Sequence, residues 1–286
     1  MRRRRQLRYK AHFLFRKTHL SSGDLDNIVK DLNDRINILC INAGRAGSTT
    51  LSRIWKHLPN VSSHHEPRPS FHRVLGKAKN DPNWAVDFQK YIKLPAMHKY
   101  DSPVYVETSH LFCKGFFEPT LELGLKPSFI TLKRNNRSIA KSLLRLQTIP
   151  GKYSGSKYYL SPDDNVFISL PDWEKYTDYQ LCYWYTLEIN KRQSHYGQIL
   201  KSRGLKNFTI HTDELNNMDR VCEMVETLAG DQIDLDKKHL AAIVGKKLNQ
   251  REGAGESLLS DIDYSREEAD LEKNVIDTTV KQAVTL

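Results

Sequence analysis

Residues 36–58 read INILCINAGRAGSTTLSRIWKHL, and this stretch decides the fold. Residues 36–43 form a short, nearly continuous apolar run that is rich in isoleucine. Such a run predicts a strand buried on both faces, as in a parallel sheet. Residues 48–58 place Leu51, Ile54, Trp55 and Leu58 at i, i+3, i+4 and i+7, the single apolar stripe of a helix. Pro59 ends that helix. The turn between the two carries Gly44 and Gly47, which permit positive φ and a close backbone approach.

A helix that opens straight from such a turn has unpaired N–H groups, with the helix dipole behind them. That arrangement is an anion site, and phosphate is its usual occupant. A Walker A loop would place Lys before Ser or Thr. Here Ser48 follows Gly47 directly, and the basic residue, Arg45, lies inside the loop. An arginine and the hydroxyls of Ser48, Thr49 and Thr50 in one tight turn serve no packing purpose, although Ser48 as a plain helix cap is the simpler alternative.

Working outward, residues 61–64 read as a short extended piece, and Pro67 and Pro69 keep the next segment out of helix. Residues 71–94 are expected to be helical, 104–107 a strand and 115–124 a short helix. Residues 128–133 (SFITLK) form another strand, leading into a helix from Ser138 with Ile139, Leu143 and Leu146 on one side. Residues 149–177 read as a long loop, 178–201 as one long helix and 208–211 as a strand. Residues 217–228 read as a helix stopped by Gly230. This alternation predicts an α/β fold with a mostly parallel central sheet and helices on both faces. The expected organisation is a basic arm and lead-in helix over 1–34, one domain over 35–253 and an acidic tail or helix over 254–286.

The chain has 286 residues, 39% hydrophobic and 27% charged, which excludes collagen-like, low-complexity and wholly disordered classes. Its net charge is +10, and residues 1–20 hold eight basic and no acidic residues. The mildly basic remainder suggests an anionic ligand. Cys40, Cys113, Cys182 and Cys222 form no CxxC pair, so reduced core thiols are expected rather than zinc or disulfides. No apolar run reaches the roughly 18–20 residues needed to span a bilayer, and a cytoplasmic location is expected.

The loop Arg45-Ala46-Gly47-Ser48-Thr49-Thr50 resembles the 5′-phosphosulfate loop of sulfotransferases that use 3′-phosphoadenosine-5′-phosphosulfate (PAPS). Arg134 at a strand end and Ser138 four residues later resemble the same family's 3′-phosphate motif. The resemblance covers roughly residues 36–253 and rests on these two short motifs. It implies a P-loop-like sulfotransferase fold, PAPS as co-substrate and no metal. Backbone N–H groups of 46–50 would hold the 5′-phosphate, and Arg45 would neutralise the leaving group. A further basic loop in the family finds a loose counterpart at residues 246–253, with Lys247 and Asn249, which reads equally as a solvated basic helix end.

Sulfuryl transfer needs in-line geometry, a base for the acceptor hydroxyl and stabilisation of the leaving phosphate, which fixed cations and N–H groups can supply. Family members of the carbohydrate type generally use Glu, often before Pro, and Glu66-Pro67 resembles that pattern. Glu66 is the first choice of base and His65 the second. In an extended segment His64 and Glu66 would share one face and His65 the other. A structural ion pair of Glu66 with Arg53 or Arg68 is the simpler alternative. Glu107 and His110 follow a strand and are secondary site candidates, because strand ends line the ligand crevice of such sheets.

Residues 149–185 hold seven of the 13 tyrosines, which suits a hydroxylated acceptor such as a saccharide or glycolipid, with the 149–177 loop as a lid. Tyr183, Trp184 and Tyr185 are expected to be core contacts. The expected partners are the nucleotide donor and this acceptor, with peripheral contact of the basic arm to anionic membrane and no nucleic acid. Two other classes compete: a P-loop kinase or phosphotransferase, disfavoured by the missing Walker Lys, and a non-catalytic polyanion binder driven by the basic arm.

Overall fold

The structure, a computed structural model, describes residues 20–152, 155, 157–245 and 256–277. Five strands form the central sheet: β1 (Ile36–Ile41), β2 (Val61–His64), β3 (Val104–Glu107), β4 (Ser128–Lys133) and β5 (Asn207–His211). Their spatial order is β2-β3-β1-β4-β5, and every neighbouring pair is parallel. β1 is central, with Ile38 opposite Val106 of β3 and Ser128 of β4. Ile38, Leu39, Cys40 and Ile41 are all buried, which is why this strand reads as a nearly continuous apolar run.

Six helices frame the account that follows: α1 (Ser22–Asn33), α2 (Ser48–Lys56), α3 (Asn136–Arg145), α4 (Asp178–Ser202), α5 (Met218–Ala229) and α6 (Tyr264–Glu272). α2 buries Leu51, Ile54 and Trp55 completely, the stripe that its spacing implies. α4 is the 25-residue helix expected, and it is buried on more than one side. From α4 the Gln193 amide donates to the carbonyls of Ile41 and Leu132, at 3.2 and 3.1 Å, so one side chain ties β1 to β4. The expected helix over 71–94 is broken instead. Asp81 caps a new helix at Pro82–Phe88, which continues through a π-helical stretch at Gln89–Lys93 into Leu94–His98.

The acidic end forms α6, which packs on α4, and Ile276–Asp277 pairs antiparallel with Ile168–Ser169. The basic arm before residue 20 lies outside the described residues. All four cysteines are buried and free. Among the described residues, no helix is long and apolar enough to cross a membrane.

The connection after β1 leads to β2 on one side of the sheet, whereas the chain after β4 leads to β5 on the other. The crevice at the carboxyl ends of β1 and β4 is therefore the topological switch point, where ligands of open α/β sheets bind.

Candidate active site

The turn between β1 and α2 is held by its carbonyls. The Asn42 carbonyl accepts from Cys113 Sγ at 3.3 Å and the Ala43 carbonyl from the Tyr185 hydroxyl at 2.6 Å. Arg134 Nη1 donates to the Arg45 carbonyl at 2.6 Å, and Thr212 Oγ1 to the Ala46 carbonyl at 2.7 Å. Asn42 Oδ1 accepts from the Gly44 N–H at 2.9 Å, closing the turn. Gly44, Arg45 and Gly47 all take positive φ, +78°, +56° and +89°. Among the described residues, the N–H groups of residues 45–50 meet no acceptor. With its carbonyls tied back, the turn offers its N–H edge to an anion.

The start of α2 adds to that edge. A side chain caps each of α1, α3, α4, α5 and α6, whereas Gly47 leaves α2 uncapped. Ser48 is therefore not a helix cap. Gly44, Arg45, Gly47, Ser48, Thr49 and Thr50 line a cavity of about 420 Å³, together with His65, Glu66, His110, Arg134, Tyr159 and Thr212.

Two guanidinium groups share this cavity. Arg45 Nε donates to Ser142 Oγ on α3 at 3.0 Å. Arg134, directly after β4, is half-buried, and desolvation followed by the charges of Arg45 and Arg145 lowers its pKa. Among the described residues, neither Arg45 nor Arg134 pairs with a carboxylate, so Arg134 is not the partner in a surface ion pair. Two like charges this close are unfavourable until an anion joins them.

Beyond Arg134 and Thr212 lies a second cavity of about 930 Å³, lined also by Asn135, Ser138, Asn190, Ser194 and Asn216. Asn135, rather than Ser138, caps α3, by accepting from the Ser138 N–H at 3.0 Å. Ser138 stands in the first turn and lines this cavity, its hydroxyl donating to Asn135 Oδ1 at 3.3 Å. The two cavities share Arg134 and Thr212, so they adjoin.

The opposite wall is built by the chain after β2. The alternation rule fails here: His65 and Glu66 both line the first cavity, and His64 does not. β2 ends at His64, and Glu66 takes φ +50°, so the chain turns where an extended strand would have carried on. His64 packs instead on Tyr100 and Tyr105, and burial lowers its pKa. His65 Nδ1 lies 3.1 Å from the Thr108 carbonyl, which makes it the donor, so Nε2 accepts from the Thr49 hydroxyl at 3.2 Å.

Glu66 does not pair with Arg53 or Arg68. Its Oε1 lies 3.2 Å from His110 Nε2, and about a third of its side chain stays exposed to the cavity. His110 Nδ1 lies 2.7 Å from Lys114 Nζ. Lys114 is fully buried, donates to the Tyr158 carbonyl at 2.7 Å and lies under the rings of Tyr159 and Tyr185. Burial lowers Lys114 to about 7. Burial first, and then the charge of Lys114, hold His110 well below its usual range.

Several expectations need correction. Glu107 does not reach the cavity. It is buried against Lys93 and the Tyr105 hydroxyl, both at 2.7 Å. Lys93 Nζ also reaches the Pro69 carbonyl at 3.4 Å, so this cluster braces the segment after Glu66. The 149–177 segment is no free lid along its second half. Glu188 on α4 accepts from the N–H groups of Phe167 and Ile168, and Arg192 donates to the Asn165 carbonyl. Of the clustered tyrosines, Tyr159 lines the cavity, and Tyr158, 41% exposed, lies beside His72. Tyr179 and Tyr183 bond Glu268 and Glu272 of α6. Tyr183, Trp184 and Tyr185 are buried as expected, and Tyr185 also holds the turn between β1 and α2. Lys247, Asn249 and Tyr153 lie outside the described residues.

Thr212 and Lys114 escape a motif reading. Thr212 follows β5, so the strand-end rule could have found it. Lys114 is a lone lysine within the apolar stretch LFCKGFF, which signals a buried charge. In comparisons with known proteins, neither a protein-family model nor a curated protein matches this sequence.

Proposed function

We propose that the chain is a sulfotransferase that takes a sulfuryl group from PAPS and transfers it to a hydroxyl of a carbohydrate or other hydroxylated acceptor. The observation that carries this reading is the pair of adjoining cavities. One has an uncapped helix start and Arg45, the other has the Ser138 hydroxyl, and Arg134 stands between. A donor with phosphate at both its 5′ and 3′ ends calls for two such anion sites. Each volume lies within the usual ligand-pocket range of about 300–1,000 Å³.

In this reading the 5′-phosphosulfate lies against the N–H groups of 46–50, and the 3′-phosphate meets Arg134 and Ser138. The acceptor hydroxyl gives its proton to the Glu66 carboxylate as its oxygen attacks sulfur in line. The bond between sulfur and the 5′-phosphate oxygen breaks, and 3′,5′-bisphosphoadenosine (PAP) departs. Arg45 and the turn's N–H groups stabilise the charge that builds on that oxygen. His65 holds Thr49, so it serves the donor side and Glu66 the acceptor side.

The test is thermal stabilisation by PAP against ATP, ADP and AMP. At a ligand concentration 100 times its Kd, binding adds about 2.7 kcal/mol to stability. PAP should raise the melting point several degrees above the shift from any of the other three. Equal shifts from PAP and ADP, or none from PAP, would overturn the reading, and Mg²⁺-dependent ATP turnover would replace it with phosphoryl transfer.

A further inference from the structure

We infer that His110 and Lys114 are positioning residues for Glu66, the pair that fixes which way its carboxylate faces in the donor cavity. The inference rests on Glu66 being the base of the proposed transfer. It is carried by a continuous chain of contacts, Lys114 Nζ to His110 Nδ1 at 2.7 Å and His110 Nε2 to Glu66 Oε1 at 3.2 Å.

The chain has one polarity when Lys114 is an ammonium. An ammonium only donates, so His110 Nδ1 must be the acceptor. A neutral imidazole then carries its single proton on Nε2, the nitrogen that faces Glu66 Oε1 at 3.2 Å. Oε1 is turned to the ring, and Oε2 is left for the acceptor hydroxyl. The second Lys114 bond, to the Tyr158 carbonyl, and the ring faces of Tyr159 and Tyr185 keep the ammonium in place. The imidazole is seated as firmly. A Cβ on Gly44 would stand 3.0 Å from its Cγ and Nδ1, and the Tyr159 ring lies 5.4 Å away on centroids. His110 therefore touches the phosphate turn and the base at once, and sets the base in register with the donor.

The alternative is that the three residues only pack. Misplacing a reacting group by about 1 Å costs on the order of 100-fold in rate, whereas a packing change moves stability with little effect on turnover. Lys114→Met should lower kcat on the order of 10- to 100-fold, with PAP affinity unchanged within about twofold. His110→Gln keeps a donor near Glu66 and His110→Phe keeps only the ring volume, so the Gln variant should be at least about tenfold more active. Below pH 7, where Lys114 keeps its proton, spectra of the ¹⁵N-histidine protein, with the His110 signal assigned by its loss in His110→Gln, should show the proton on Nε2 in the wild type. In Lys114→Met it should move wholly or partly to Nδ1. A wild-type proton on Nδ1, an unchanged Lys114→Met spectrum, or equal activity of the two His110 variants would overturn the inference. The spectra need no donor, so they decide this point even if PAPS turnover is absent and the sulfotransferase reading fails.

Discussion

Replacing Lys114 by methionine should change stability with a sign that depends on pH. Burial lowers this lysine from 10.5 to about 7, and a gap of that size costs the folded state on the order of 5 kcal/mol while the group is charged in both states. Methionine fills similar space and removes that cost. It also removes the donors to His110 Nδ1 and the Tyr158 carbonyl, which loses roughly 2–4 kcal/mol for two buried bonds. Below pH 7 the charge effect wins, and the variant should be more stable by roughly 1–3 kcal/mol. Above pH 7 the folded protein has released the proton and the unfolded chain still holds it. Wild-type stability therefore rises through the window from pH 7 to 10.5, by up to about 1.4 kcal/mol per pH unit. Near pH 10 only the lost hydrogen bonds remain, and the variant should be the less stable one. The groups acting on Lys114 are His110, Cys113, Glu66, Arg192 and Lys79, together with the Tyr159 and Tyr185 rings. They are common to both proteins and largely cancel in the difference. Urea unfolding of the pair at steps from pH 6.5 to 10 measures it. A stability difference that stays flat across that range would refute the buried-ammonium account.

Glu66→Gln should leave PAP affinity unchanged and lower kcat about 10²- to 10⁴-fold, the usual worth of a general base, as steady-state kinetics beside calorimetric PAP titration would show. Arg134→Ala removes a charge-assisted contact and frees the Arg45 carbonyl, so PAP binding should weaken on the order of 10- to 100-fold in the same titration. Gly44→Ala meets both a φ of +78° and the His110 ring at 3.0 Å. It should lose about 1–2 kcal/mol of stability in urea and lower kcat together, since the ring it displaces holds Glu66.

The sheet was legible because its central strand is buried on both faces, and burial of that kind leaves an apolar run at residues 36–41 interrupted by Asn37 alone. The turn between β1 and α2 was legible for a local reason: its glycines and hydroxyls lie within a few residues of each other in sequence. The base side was not. A period of two holds only while the chain stays extended, and it stops at His64, so Glu66 arrives in the cavity beside His65. The partner of Glu107 lies on a helix that precedes its strand, and only the fold brings Lys93 to it. Tyr179 counted toward an acceptor platform because its partner, Glu268 of α6, lies 89 positions further on. Lys114 gave a composition signal, one charge in an apolar run, but nothing in the sequence says that its outlet is His110.

The electrostatics of the cavity explain why an imidazole stands between Lys114 and Glu66. Among the described residues, Glu66 is the only carboxylate lining this cavity, and it shares the space with Arg45 and Arg134. A lysine bonded to it directly would stabilise its charged form most strongly and make it a poorer proton acceptor. In the proposed transfer, a lysine on the cavity surface would compete with Arg45 for the donor's phosphate. Behind a neutral ring, the ammonium orients the carboxylate through one fixed tautomer and acts on its charge only from a distance. Burying a cation is unfavourable, and a site that served packing alone would gain stability from an apolar residue at 114. Retaining lysine there makes physical sense if the direction of the Glu66 carboxylate matters more than the stability it forgoes.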